Sequence, residues 1–277
     1  MRIRTAYQLI DHGVNAMTLS REKVKSNDPF SVVLQDCSAL EWDRRVDLAA
    51  LYRLACIYGW TDNTATHFSA RLSDDPNHFL LNAFDMLFEE ITASNLTKFN
   101  FDGTMSTADR VKNEAGFVIH SSVLEARPDI NFVMHTHTRA GMAVSAMKCG
   151  LLPISQHACE IIETVSNHPY QDSTTVSNEG ELLGRDLGKN YCMLLENHGF
   201  LIVGRTAAEV FWYHYKLEMS CKIQVDVMHA TDDYIEISPE ARKPLREWGN
   251  PENGPHGEVE WPAMLRMLGR KHPDYKT

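Results

Sequence analysis

Between residues 41 and 229, short stretches with the alternation of β-strands are separated by longer stretches with helical spacing. That order restricts the chain to strands gathered in a sheet and covered by helices, an α/β sandwich. Residues 41–58 carry Val46, Ala49, Ala50, Leu54 and Ile57 at helical spacing, and Gly59 stands where a helix would stop. In residues 66–72, Phe68, Ala70 and Leu72 share one strand face while His67, Ser69 and Arg71 share the other. Residues 79–81 continue as a strand after the turn at Asp75-Pro76-Asn77, and Asp102-Gly103 marks a further hairpin. A helix is predicted over 113–126 and is broken by Arg127-Pro128-Asp129; a strand follows over 131–137, then a helix over 138–148 ending at Gly150. Strands over 191–195 and 200–203 flank Asn197-His198-Gly199, and the capping box Thr206-x-x-Glu209 opens a helix to about residue 229 with Phe211, Tyr215 and Met219 on one stripe. The sequence thus divides into an N-terminal arm over 1–40, one α/β domain over 41–237, and a Pro- and Gly-rich C-terminal extension over 238–277 holding one short helix at 261–268.

A core of this kind needs no disulfide or structural metal, because 277 residues with 43% hydrophobic content bury enough surface alone. The six cysteines lie scattered, without a C-x-x-C pair, as reduced thiols of a cytoplasmic protein do. A formal charge of −10 without a basic patch argues against nucleic acid and anionic membranes as partners. No apolar run reaches the roughly 18 residues of a membrane span, and the first residues lack a secretory h-region. The expected location is cytoplasmic.

The chemistry is carried by histidine. In the strand over 131–137, His135 and His137 stand at i and i+2, project to the same face and can share one ion. The opposite face, Phe132, Met134 and Thr136, is suited to the core, so the two imidazoles are expected to point away from the main packing. His198 lies at a strand terminus in Glu196-Asn197-His198-Gly199. Three imidazoles on such strands suit Zn, Mn, Co or Fe(II), with coordination positions left open for substrate or water. Satisfied structural histidines are the alternative reading of each taken alone.

The blocks Asn113-Glu114-Ala115-Gly116-Phe117-Val118-Ile119-His120, Ala126-Arg127-Pro128-Asp129, His135-Thr136-His137-Thr138 and Leu194-Leu195-Glu196-Asn197-His198-Gly199, in this order, resemble the class II aldolase/adducin family. The resemblance also takes in residues 88–92 and Gln156, and runs from about residue 41 to 229. It implies a three-layer α/β/α sandwich around a central, largely antiparallel β-sheet. It also implies one divalent metal ion per chain held by His135, His137 and His198, and a homotetramer with sites near subunit interfaces. In aldolases of the family a glutamate ahead of the R-P-D segment moves a proton; here the aligned residue is Gly116, and the nearest carboxylate is Glu114. Two residues of helix are about 200° of rotation, so Glu114 replaces that glutamate only if the local backbone shifts. The sugar-phosphate aldolases cradle phosphate in a Gly-Asn-x-Ser loop, whereas this chain reads Thr66-His67-Phe68-Ser69, which implies an unphosphorylated substrate. His67, Ser69 and Arg71 are then candidates to bind a carboxylate, Arg71 by a bidentate pair, and Gln156 to edge the pocket. His120 takes the place of a packing or supporting residue, and Arg127 and Asp129 close a turn. Tyr275 is the C-terminal tyrosine available for the role of acid that such a residue plays from a neighbouring chain in family aldolases.

The expected function is a metal-dependent lyase on a small unphosphorylated carbonyl or hydroxy acid, by aldol cleavage or decarboxylation through a metal-stabilised enolate. Glu114 is its candidate acid–base residue. Two alternatives use the same residues differently. A non-haem Fe(II) oxygenase of aromatic 2-oxo or hydroxy acids needs no such glutamate, and an adducin-like assembly module needs no chemistry.

Overall fold

The computed structural model describes residues 37–106, 110–171 and 179–277; the arm expected over 1–40 lies outside them up to residue 36. Strands β1 (His67–Arg71), β2 (His78–Leu81), β3 (Thr97–Asn100), β4 (Phe132–Thr136), β5 (Val165–His168), β6 (Cys192–Leu195) and β7 (Gly199–Gly204) form one sheet in the order β3-β2-β1-β4-β7-β6-β5. Only the β5–β6 pair is parallel; β1–β2, β1–β4, β2–β3, β4–β7 and β6–β7 are antiparallel. Helices α1 (Ala39–Tyr58), α3 (Arg139–Ser145), α4 (Gln156–Ile161) and α6 (Ala207–Ala230) form the layer on one face, and α2 (Glu114–Ala126) and α5 (Glu179–Leu187) the layer on the other. This is the three-layer α/β/α sandwich with a largely antiparallel sheet.

Side chains on the helix ends set where the elements start. Ser38, Asn113, Thr138, Ser155 and Thr206 each accept a hydrogen bond from the third backbone N–H of the helix they precede, satisfying donors a helix leaves without partners. The sheet core is apolar on both faces, and every residue of β4, β6 and β7 is buried. The histidine face of β4 therefore does not point away from the packing as its alternation suggests. It lies under the α2 layer, and His135 is 1% exposed.

The C-terminal stretch differs from expectation. It holds two helices, α7 (Pro239–Gly249), packed on α4, and α8 (Trp261–Lys271), packed on α1. Ser238 caps α7 and Pro239 occupies its first turn, where the missing N–H costs nothing. Tyr275, the C-terminal tyrosine of which the sequence left the role open, is 0% exposed within its own chain. Ala93 N–H donates to the Tyr275 carbonyl (2.9 Å) and Arg53 pairs with Asp274 (2.7 Å), tying residues 274 and 275 to the segment before β3 and to α1.

Candidate metal centre

Three loops and strands converge where β4 ends. His135 is a residue of β4, registered against His67 of β1 and Leu201 of β7. His137 follows just past the strand, and His198 sits in the turn from β6 to β7. That turn is pinned by hydrogen bonds from Glu196 N–H to the His168 carbonyl, Asn197 N–H to the Ser145 carbonyl and His198 N–H to the Leu195 carbonyl. Asn197 holds φ 55°, a left-handed conformation that asparagine tolerates better than most residues. Gly199 lets the turn press on the histidine strand: a Cβ there would lie 2.3 Å from the Thr136 carbonyl oxygen.

The result is a cluster of imidazole nitrogens. Nε2 of His137 is 2.9 Å from Nε2 of His135 and 2.9 Å from Nε2 of His198, and all three ligand atoms lie within 4.8 Å of one another. His135 Nδ1 donates to the Phe200 carbonyl (2.8 Å) and His137 Nδ1 to the Asp62 carboxylate (3.0 Å). Each partner only accepts, so in the neutral rings the proton is fixed on Nδ1 and the lone pair on Nε2. Lone pairs facing one another at this range repel unless a cation lies between them. The set therefore fits a divalent ion bonded at the ~2.0–2.1 Å usual for imidazole, with the outer hydrogen bonds that metal-ligating histidines make. Burial first, then the neighbouring His67, His137 and His198, holds His135 well below the ordinary histidine pKa; burial, His137 and His168 bring His198 to about 4. Both rings are neutral near pH 7, the state that binds metal.

Around the cluster runs a second row of polar groups. His67, its ring tilted against that of His135 with centroids 4.9 Å apart, shares a hydrogen bond with His120 of α2 (Nδ1 to Nε2, 2.8 Å), and His120 Nδ1 pairs with Ser69 Oγ. His67, Ser69 and His120 are all buried. Burial is the main reason the His67 pKa is depressed far and that of His120 falls to about 3. Tyr170 stands beside His198 with ring centroids 6.3 Å apart.

Other residues singled out in the sequence are placed elsewhere. Glu114, in the first turn of α2, is 73% exposed and pairs with Lys112 (2.9 Å), outside the cluster. Gly116 is dictated by the helix cap, since a Cβ would fall 2.7 Å from Oδ1 of Asn113. Arg71 lies at the far end of β1 from His67, about 13 Å along the strand; its guanidinium donates to the Leu124 carbonyl and lies over Phe101. Gln156 is exposed at the start of α4 and donates to Glu160 (2.9 Å). Arg127 and Asp129 are paired (2.7 Å), and Arg127 also caps the Gly188 and Asn190 carbonyls. Asp62, His168, Tyr170 and Asp186 were not legible as site residues. Asp62 meets His137 from 75 residues away, His168 meets Asp186 only when β5 and α5 come together, and Tyr170 reaches His198 from just past β5.

Comparison with known proteins adds to this geometry. The family model described as the class II aldolase and adducin N-terminal domain matches residues 46–225. An aldolase II superfamily protein from Pseudomonas syringae, known from its crystal structure, is 43% identical and superposes with a TM-score of 0.81, over 87% of this chain and 97% of that one. A Caulobacter vibrioides protein with a provisional class 2 aldolase name is 42% identical over 240 residues, 86% of this chain and 93% of its own. Alpha-adducin of Rattus norvegicus is 38% identical over 240 residues, covering 81% of this chain and 32% of the longer adducin.

Proposed function

The chain belongs to the class II aldolase and adducin family, and from that premise we propose that it is a divalent-metal-dependent lyase acting on a small unphosphorylated carbonyl or hydroxy acid. The observation that carries the reading is the convergence of three Nε2 lone pairs from His135, His137 and His198, two of them oriented by hydrogen bonds at Nδ1. These three residues hold one Zn, Mn, Co or Fe(II) ion per chain. Bound there, such an ion supplies a Lewis acid that disperses the negative charge developing on a carbonyl oxygen when a neighbouring C–C bond breaks.

The chain's own groups do the rest. Asp62 and the Phe200 carbonyl keep two imidazoles aimed and in the right tautomer. Thr66, His67, Phe68 and Ser69 are all buried, and His67 is bonded to His120, so this segment does not form an open phosphate cradle. That supports an unphosphorylated substrate. Within this reading His67 and Ser69 line and stiffen the floor of the site. Glu114, Arg71 and Gln156 are left out, because their polar ends are engaged elsewhere. The reading includes a homotetramer in the cytoplasm, acting on small molecules and not on nucleic acid or membrane. The net charge of −10 agrees with this, and among the described residues no helix is long and apolar enough to cross a membrane.

Two specific observations keep other readings in view. Gly116 in place of the aldolase glutamate favours an Fe(II) oxygenase, and the extended identity to alpha-adducin favours an assembly module. Elemental analysis of protein isolated without chelator or affinity metal separates them. The expected result is about one zinc, manganese or cobalt ion per chain, lost in His135→Ala, with cleavage or decarboxylation of members of a keto- and hydroxy-acid panel. Iron together with substrate-dependent oxygen uptake selects the oxygenase. Absence of any ion after reloading selects the assembly module.

A further inference from the structure

A lyase of this kind needs a group that takes a proton and returns it, and neither Gly116 nor the exposed, Lys112-paired Glu114 supplies one. The imidazoles of His67 and His120 are bonded to each other, and His120 also to Ser69. Another histidine on the same face of the sheet is differently placed. His168 ends β5, is 3% exposed, and bonds through Nδ1 to Asp186 of α5 (2.8 Å). Its Nε2 is buried and, among the described residues, has no hydrogen-bond partner. A buried polar nitrogen left unsatisfied is destabilising, so its survival points to a partner that arrives with a ligand.

The sheet carries His168 to the metal end. Register pairs His168 with Leu195 of β6, Leu195 with Gly199 of β7, and Phe200 with Thr136 of β4. His168 therefore shares one row with Leu195 and Gly199, and Gly199 lies beside His137 at the end of β4. His198, on the turn from β6 to β7, lies between His168 and the other two histidines of the cluster. Tyr170, two residues on, places its ring beside His198. Because Nδ1 is tied to α5, Nε2 lies on the side of the ring away from that helix.

We propose that His168, oriented by Asp186, is the acid–base residue of the metal cleft, in place of the glutamate that Gly116 cannot supply. This rests on the lyase reading above. In aldol cleavage, His168 Nε2 takes the proton of the substrate β-hydroxyl as the bond between the α- and β-carbons breaks. The hydroxyl carbon becomes a carbonyl, and the bonding pair remains with the other fragment as an enolate. The imidazolium then returns its proton to the enolate carbon, leaving neutral His168 and two carbonyl products without any oxidant or reductant. Asp186 is suited to steady the transient imidazolium: burial works against its carboxylate, but hydrogen bonds from His168 and Arg185 keep its pKa below the ordinary value. Asp186 and Arg185 on α5 and His198 on the β6–β7 turn are the charged or titratable groups that bear on the ring.

The test uses the full chain loaded with zinc or manganese and checked for metal content. Two readouts are followed: exchange of C3 hydrogens of pyruvate and 2-oxobutyrate in D2O, and calorimetric binding of oxalate, an enolate mimic, in buffers of different ionisation enthalpy. The wild type is expected to exchange and to take up about one proton per oxalate bound. His168→Gln should keep its metal, bind oxalate without proton uptake, and exchange about 10²–10⁴-fold more slowly. Asp186→Asn should shift the acidic limb of the exchange profile to lower pH, and it carries the test alone if His168→Gln does not fold. Unchanged exchange and proton uptake in His168→Gln, or an unmoved profile in Asp186→Asn, overturns the role of His168 and leaves the lyase reading intact. A metal-loaded wild type that neither exchanges nor binds oxalate overturns the lyase reading itself.

Discussion

Histidine decides this molecule at the scale of single residues, and its neighbours decide what each histidine does. The pair His135 and His137 was legible because a strand repeats every two residues. The group that orients His137 was not, since Asp62 arrives from a loop with no local signature. Such outer partners matter to affinity: replacing Asp62 by Asn should weaken metal binding about 10–100-fold, measured by competition with a chelating dye, while leaving the fold intact. His214 behaves differently. It is 0% exposed on the opposite face of the sheet, stacks on Trp60 (4.0 Å) and bonds Thr136 (2.8 Å), and burial lowers its pKa to about 3. Its folded pKa lies below the unfolded value near 6.5, so between those limits the unfolded chain binds a proton that the folded chain refuses. Stability is therefore lost as pH falls from about 6.5 towards 3, by roughly 1.4 kcal/mol per pH unit from this residue. His214→Phe should flatten that slope in urea unfolding curves collected across the range; an unchanged slope would remove His214 as its source.

Periodicity and caps revealed the larger elements: α1, α2 and α6, and the central strands β1, β4, β6 and β7. It failed where local signals were thin or conflicting. Edge strand β5 is short and polar at three of its four residues (Val165, Ser166, Asn167, His168), so nothing in it reads as a strand until it pairs with β6. The Pro-rich composition hid α7, although Ser238 and Pro239 form a start signal and Pro244 is tolerated inside it. Alternation correctly put His135 and His137 on one face, but could not say that α2 would bury that face. What makes the metal site is a junction between elements, and Gly199 is its tightest point. A side chain there collides with the Thr136 carbonyl at 2.3 Å, so Gly199→Ala must push β7 away from β4 between two ligands. The expected cost is about 1–3 kcal/mol of stability together with weakened metal retention. A variant that unfolds and holds metal as the wild type does would show that this contact does not set the site.

Across the whole molecule, the C-terminal residues close the layer opposite the metal face. Helix α8 lies on α1, the final turn bonds to the loop at Ala93 and Ser94, and Tyr275 is sealed inside the same chain. Two roles for Tyr275 make opposite predictions. As an acid lent to a neighbouring site it would need a free hydroxyl, and Tyr275→Phe would abolish turnover while leaving stability alone. As a core residue it matters for its ring. Its hydroxyl is buried without a hydrogen-bond partner among the described residues, so removing that oxygen should leave stability unchanged or raise it by up to ~1 kcal/mol. Tyr275→Ala, by contrast, opens a cavity under α1 and should cost about 3–5 kcal/mol. Metal content should stay the same in both variants, because the ligands stand on the other face of the sheet. Urea midpoints and elemental analysis of the two variants, taken together, decide between the roles: a neutral Phe variant beside a destabilised Ala variant makes the tail a structural clamp, and the reverse order would return Tyr275 to chemistry.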